Sequence, residues 1–427
     1  MISTRGRYAL RIMLDLARAE EGKYVSLKSV AERQEMSMKY LESIISLLNK
    51  GGIVVSLRGT QGGYRLARPA EEITVYEVIR LTEGPLAPVS CLEAGGPEGV
   101  SCTCAQEDSC QTLPLWRYTE NPIIRRNPLP GVARIFNSAV VPYEGAYIGV
   151  FRGEQTNGIP FIYLGRSADG IHWTFDPEKI PFVDEAGRPF MPPYAYDPRL
   201  VKVEDTYYII WCQDAYGAAI GMAKTTDFKT FTRIENPFLP FNRNAVLFPR
   251  KIDGKFMLLS RPSDSGHTPF GDIYVSESPD MEYWGHHRHV MGKSGNWWEN
   301  VKIGGGAAPI ETDLGWLLFY HGVTGTCNGL VYSIGGAILD RDEPSRVLHR
   351  CNTFLLTPEE WYEERGFVPN VCFPCATLQD AATGRIAVYY GCADSYVGLA
   401  FTTADEVVDY ILAHDETSAS DREPGKR

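Results

Sequence analysis

The feature that most restricts the fold is a fivefold internal repeat. An apolar, aromatic strand preceded by a turn recurs as GAYIGVFRGE from Gly145, DTYYIIWCQD from Asp205, GKFMLLSRPS from Gly254, GWLLFYHGV from Gly315 and GRIAVYYGCAD from Gly384. A second strand follows each copy and runs into a small-polar turn with an aspartate, at Asp169, Asp227, Asp280, Asp340 and Asp405. These five carboxylates read as turn-formers, because aspartate accepts bonds from backbone N–H groups just downstream. Five copies spaced by roughly fifty to sixty-five residues predict five four-stranded blades: a mainly β chain with a five-bladed β-propeller over 117–412.

The repeat also points to a site. At or just beyond the end of the recurring strand the polar residue changes from copy to copy: Arg152, Asp214 after Cys212, Arg261, His321 and Asp394. Equivalent strand ends gather around a propeller axis, so unlike charges there predict a shared pocket. A purely structural repeat would keep one residue type.

Residues 1–90 read differently. Tyr8, Ile12 and Leu16 share one face of a helix whose apolar run is broken by Arg11, Asp15 and Arg18, which excludes a signal peptide. Ser26 and Ser37 are candidate N-caps for SLKSVAERQ and SMKYLESIISLLNK, and Gly51-Gly52 is a stop. IVVSLRG and GGYRLA then form a glycine-tipped hairpin. Helix–turn–helix plus hairpin predicts an α/β winged helix over 1–90, a fold that puts its second helix in the DNA major groove. Lys39 and Tyr40 would face the groove and Arg58 and Arg65 would flank the wing; a protein-interaction module is the alternative. The segment holds 13 Lys/Arg and 10 Asp/Glu, a net of +3, against −11 for the whole chain, so the rest is acidic. No run of eighteen apolar residues occurs, so no membrane span is expected. A cytoplasmic location with reduced thiols is expected, which makes the ten cysteines a metal or core question and not a disulfide framework.

ISTRGRYALRIMLDLA, SVAERQEMSMKYLESII and LRGTQGGYRLARPAEEITVYEVIRLTEG resemble the Rrf-type transcription regulators, the IscR/NsrR group, from Met1 to about Trp116. The resemblance implies DNA as a partner and an iron–sulfur cluster held by thiolates, with Cys91, Cys102, Cys104 and Cys110 in the 91–116 segment as candidate ligands. Zinc and a vestigial thiol set are the alternatives, since the spacing departs from the family's. The family's long dimerisation helix is missing: after QTLPLW comes RYTENPIIRRNPLPG, too rich in proline and asparagine to stay helical.

FNSAVV, YAYDPRL, PFNRNAVLFPRK, SRPSDSGHTPFGD, NVKIGGG, FYHG and VYYGCAD, in that order over about 117–412, resemble glycoside hydrolase family 130. That implies inverting phosphorolysis of β-1,4-mannosides to α-mannose 1-phosphate on a five-bladed propeller. A hydrolase needs a second carboxyl group to activate water. A phosphorylase needs one acid and a cluster of cations for the phosphate co-substrate, and arginine's planar fork suits phosphate oxygens. By resemblance Asp197 is the general acid, protonating through the mannose 3-hydroxyl; Arg243, Arg261, Lys302 and His321 hold phosphate; Asn137, Ser138, Arg152 and Asp394 hold mannose. Tyr196, His267 and Tyr332 are acceptor-side candidates. Arg199 is expected to point outward, where it would not oppose protonation of the acid. No cofactor is needed for catalysis, and a homo-oligomer is expected. Mannosyl-glucose or mannosyl-N-acetylglucosamine phosphorolysis remains open, as does a regulator whose propeller only senses a mannoside.

Three motifs read as structural: Cys372-Phe-Pro-Cys375 as core thiols in a strand, the histidines 286, 287 and 289 as a loop on the rim, and Gly304-Gly305-Gly306 as no phosphate loop, since lysine and serine do not follow. The tail over 413–427 is charged, lacks apolar anchors and is expected to be disordered.

Overall fold

The computed structural model describes residues 4–19, 23–34, 36–57, 59, 62–83, 113–263 and 271–417. The chain divides into two compact units, Met1–Gln111 and Thr112–Arg427. The possible cluster ligands Cys91, Cys102, Cys104 and Cys110, the wing residue Arg58 and the acceptor-side candidate His267 all lie outside the described residues. Among the described residues no helix is long and apolar enough to cross a membrane.

The first unit is a winged helix. Helices α1 (Thr4–Ala17), α2 (Leu27–Gln34) and α3 (Met38–Lys50) precede a hairpin of β1 (Val54–Leu57) and β2 (Gly63–Leu66), and α4 (Val75–Glu83) follows. Apolar residues at helical spacing bury one stripe of each helix: Ile12 and Leu16 meet Leu41, Ile44 and Leu48 in one core. Ser26 caps α2 by accepting from Ser29 N at 3.2 Å. Ser37 occupies the N-cap of α3, but its side chain makes no capping bond.

The second unit is a five-bladed propeller. The blades begin at Val132, Tyr196, Asn242, Lys302 and Cys372, each with four successive antiparallel strands; the second adds Phe182–Val183, parallel to its outer strand, and the fourth adds Ile310–Thr312. The recurring segment is the second strand of every blade. Strands alternate their side chains between faces, and here both faces are apolar because each blade packs against two others. Five apolar cores result, one between each pair of successive blades. The fifth blade takes its outer strand from the front of the unit: Trp116–Arg117 pairs with Tyr396–Thr403. Trp116, assigned to the linker by the sequence reading, thus belongs to the ring. Arg117 fixes the closure by donating to the buried Glu363 carboxylate from Nε at 2.8 Å and Nη2 at 2.9 Å.

The repeated aspartates make turns in four blades. Asp169, Asp227 and Asp280 each follow a Ser or Thr two residues earlier, and its hydroxyl accepts from the backbone N–H three residues on: Ser167 from Gly170, Thr225 from Phe228, Ser278 from Met281. Asp340 accepts from Asp342 N and Glu343 N. The fifth copy departs from expectation. Thr403 makes the same bond, to Glu406 N, but there it caps a helix, Ala404–Ala413, and Asp405 is a first-turn residue. The chain beyond that helix is also held, against the expected disorder from 413. Asp415 accepts from His349 Nδ1 at 2.7 Å, and Asn296 donates to Glu416 at 2.7 Å; residues 418–427 are outside the described set.

Candidate active site

The innermost strands of four blades carry the same irregularity. Each gains one residue relative to its partner strand, giving β-bulges at Asn137, at Asp197-Pro198, at Asn244-Ala245 and at Cys375. Asn137, Asp197 and Asn244 have φ of 51°, 50° and 52°. Asparagine and aspartate are the residues other than glycine that enter this left-handed region most readily. A bulge re-aims a side chain out of the regular alternation, and here it turns polar groups toward one another. Gly391 must be glycine for this: a Cβ there would lie 1.8 Å from Asn137 Oδ1.

Asp197 is the centre of one group. Its Oδ1 accepts from Asn137 Nδ2 at 2.7 Å and from Arg152 Nη1 at 2.9 Å. Arg152 lies over the Phe136 ring at 4.3 Å and near Tyr196 at 5.3 Å. Burial works against its charge, but Asp197 and Asp394 outweigh it and raise its pKa. Asp394 lies beside this group with φ of 47°. Burial pushes its carboxyl up to about 6; Arg152 opposes the shift, and Asp197 and Glu154 add to it. Ser138 is buried, and its hydroxyl has no hydrogen-bond partner among the described residues. Buried polar groups without partners are rare in folded proteins and mark places where a ligand completes the bonding.

A cationic group adjoins it. Arg243 and Arg261 stand directly opposite on the first two strands of the third blade. Arg261 is buried, which disfavours its charge. Lys302 opens the fourth blade; burial, then Arg261 and Arg243, push its amine down to about 8. Burial holds His321 neutral, with Arg261 and Lys302 reinforcing the effect. Arg261 Nη1 lies 3.1 Å from His321 Nε2, and the Asn244 amide lies 3.3 Å from the same nitrogen. The other ring nitrogen, Nδ1, is buried with no hydrogen-bond partner among the described residues. Gly304 makes room for the ring, since a Cβ there would lie 2.6 Å from His321 Cε1. Among the described residues, three cations and one neutral imidazole with no carboxylate bonded to them form a ready seat for a small dianion. Tyr332 joins this group, with Lys302 Nζ over its ring at 5.2 Å. Burial raises the pKa of its phenol, which also feels Arg261 and Arg243 together with Asp394 and Asp197, so the two groups are neighbours.

Three expectations are corrected. Asp214 is exposed; Cys212, two residues earlier, stands with the site, where its sulfur accepts from Asn244 N at 3.4 Å. Arg199 points inward. It is buried, donates from Nε to Gly306 O at 2.5 Å, and lies 5.3 Å from the Phe373 ring centroid. Proline at 198 and the bulge at Asp197 turn it off the outward face. The three histidines lie on a strand, Gly285–Met291, not in a loop, and bond Glu277, Ser276 and Asp272. Cys372 and Cys375 are core thiols as read. The sequence reading missed Glu154 and Asn244. Glu154 was visible as the residue two beyond Arg152, on the same strand face; Asn244 sits inside the quoted segment PFNRNAVL.

Over residues 108–413 the chain matches the family described as beta-1,4-mannooligosaccharide phosphorylase, glycoside hydrolase family 130. The chain belongs to that family. A beta-1,4-mannooligosaccharide phosphorylase of Ruminococcus albus is 56% identical over 314 residues, 70% of this chain and 91% of that enzyme. A solved family 130 relative, the beta-1,2-mannobiose phosphorylase of Listeria innocua in complex with beta-1,2-mannobiose, superposes with a TM-score of 0.61 at 27% identity, over 70% of this chain and 99% of its own. Residues 2–126 match the Rrf2 family of iron-dependent transcriptional regulators. The regulator CymR of Bacillus subtilis is 45% identical over 96 residues, 22% of this chain and 70% of that protein. The family 130 unit is therefore preceded, in one polypeptide, by a regulator-type winged helix.

Proposed function

We propose that the propeller is an inverting phosphorylase of β-1,4-mannooligosaccharides. The observation that carries the reading is the meeting of a hydrogen-bonded acid, Asp197, with the cationic seat of Arg243, Arg261, Lys302 and His321. A phosphate oxygen attacks the anomeric carbon of the terminal mannosyl unit as the bond to the glycosidic oxygen breaks. Asp197 supplies the proton that the leaving oxygen takes up, relayed through the mannose 3-hydroxyl, and the proton of hydrogen phosphate restores it. The products are α-mannose 1-phosphate and an acceptor one unit shorter. Asn137, Ser138, Arg152 and Asp394 offer the amide, hydroxyl, guanidinium and carboxyl groups that sugar hydroxyls require. Tyr196 supplies an aromatic wall on the acceptor side. The identity to the R. albus enzyme favours mannose over glucose as the acceptor unit.

Incubation with β-1,4-mannobiose and phosphate should yield mannose 1-phosphate, and Asp197→Asn should abolish it. Mannose released at the same rate without phosphate would make the propeller a hydrolase and sink the proposal.

For the first unit we infer DNA binding through α3. Lys39 is exposed on its first turn, whereas Tyr40 is half-buried against Tyr8, at 5.8 Å between rings, and so serves the fold as well. Arg65 lies over Tyr24 at 5.3 Å. A labelled mixed-sequence duplex, titrated at several salt concentrations, should bind the full chain with a salt-dependent affinity that Lys39→Ala weakens. Salt-independent or undetectable binding would favour a protein-interaction module.

A further inference from the structure

The ion pair at the centre of the site poses a chemical problem. Arg152 donates to Asp197 at 2.9 Å, and a cation that close favours a carboxylate's charged form. A proton donor must be uncharged before it acts. Something has to limit the hold of Arg152, and the structure contains a group in the right place. Glu154, two residues on and so on the same strand face, accepts from the other terminal nitrogen of Arg152, Nη2, at 3.1 Å. Its second oxygen accepts from Arg134 Nη2 at 2.5 Å. Arg134 is the direct cross-strand partner of Glu154 and lies over the Phe367 ring at 3.9 Å. The result is a buried row of alternating charge: Arg134, Glu154, Arg152, Asp197.

We propose that Glu154 is a positioning residue: it clamps Arg152 through Nη2, counters that guanidinium's charge, and thereby sets the pH range over which Asp197 carries the proton it donates. The inference rests on the phosphorylase reading of Asp197. A buried ion row is a poor investment for stability alone, since apolar side chains of the same volume usually do as well. It makes sense where the charge balance itself matters. The other charged and titratable groups around Asp197 come from every neighbouring blade: Asp394 and Cys375 from the fifth, Tyr332 from the fourth, Arg243 from the third, and Tyr196, Arg199 and Cys212 from its own. Only Glu154 shares a guanidinium with it through a direct bond.

Two shape-conserving substitutions push in opposite directions. Glu154→Gln leaves the bonded row with two cations and one carboxylate while Asp394 stays in place, so the alkaline limb of kcat should move to lower pH by about one unit. Arg134→Gln removes the competitor for Glu154 and should move the limb to higher pH. Both are read at saturating phosphate and mannobiose, which removes the titration of the phosphate seat from kcat. A difference infrared titration of the Asp197 carboxyl, each protein against its Asp197→Asn counterpart, reads the same displacement without turnover. A uniform loss of kcat at every pH with the limb unmoved, or two variants that move it the same way, overturns the proposal. If Glu154→Gln fails to melt cooperatively, Arg134→Gln alone decides by the sign of its shift. Absence of mannose 1-phosphate from the wild type would instead remove the phosphorylase reading, while the infrared titration still tests the charge row.

Discussion

Lys302 makes phosphate binding a proton-linked event. Its amine is pushed down to about 8, well below the ordinary lysine range, by burial and by Arg261 and Arg243. A bound dianion reverses that shift, since it neutralises the two arginines and pairs with the ammonium directly. Binding at pH 7 therefore finds the lysine about nine-tenths protonated, and at pH 9 about one-tenth, so affinity for the phosphate dianion should drop about tenfold across that interval. Each dianion bound should take up about half a proton at pH 8 and about nine-tenths of one at pH 9. Lys302→Met removes one charge-assisted contact, about 1.5–3 kcal/mol, or about tenfold to a hundredfold in affinity at pH 7, and should flatten the descent from pH 7 to 9. The assay is calorimetric titration of phosphate into the Asp197→Asn protein, in two buffers of different ionisation enthalpy at each pH. That background excludes the acid's own titration. Affinity unchanged from pH 7 to 9, with no proton uptake, would refute the reasoning.

Gly304→Ala should place a methyl 2.6 Å from His321 Cε1 and raise KM for phosphate at least tenfold, with mannoside binding and the melting temperature little changed; steady-state kinetics and calorimetry check this. Arg117→Ala should leave the buried Glu363 carboxylate without its cation and cost the propeller about 3–5 kcal/mol, read by denaturant unfolding. Phosphate at a hundred times its Kd should stabilise the propeller by about 2.7 kcal/mol, seen as a rise in Tm that Arg261→Gln removes.

The blades were legible because their period is carried by many residues at once. Five aromatic strands, and an aspartate at the matching point after each that makes a turn in four blades and opens a helix in the fifth, give a signal that no single substitution erases. The chemical groups were legible as types at strand ends, which is how Arg152, Arg261 and His321 came forward. What strand periodicity cannot show is a shift of register. The bulges at Asn137, Asp197 and Asn244 each add one residue, and a side chain beyond the extra residue exchanges faces. Arg199 was placed outward because an inward cation would oppose protonation of Asp197, and nothing in the strand pattern showed the bulge beside it; Asp214 was preferred over Cys212 because charge, not burial, guided the choice. A faint trace existed all the same: FNS, YDP and RNA each put Asn or Asp at a matching point of the innermost strand. Glu154 escaped for a different reason, since its importance lies in what it does to Arg152 and not in any contact with a ligand.

Closure of the ring through Trp116–Arg117 has a mechanical consequence. The first segment of the enzyme to follow the regulator unit along the chain is the clasp of its last blade, joined to Tyr396–Thr403 by two residue pairs, Arg117 with Ala400 and Trp116 with Phe401. Any tension carried along the backbone from the N-terminal side is delivered to that clasp before it reaches another strand. Holding it are the stack of Trp116 on Phe401 at 4.9 Å and the forked bond of Arg117 to Glu363. A cut made to free the enzyme from its neighbour therefore has to fall upstream of Trp116, or the ring loses its latch.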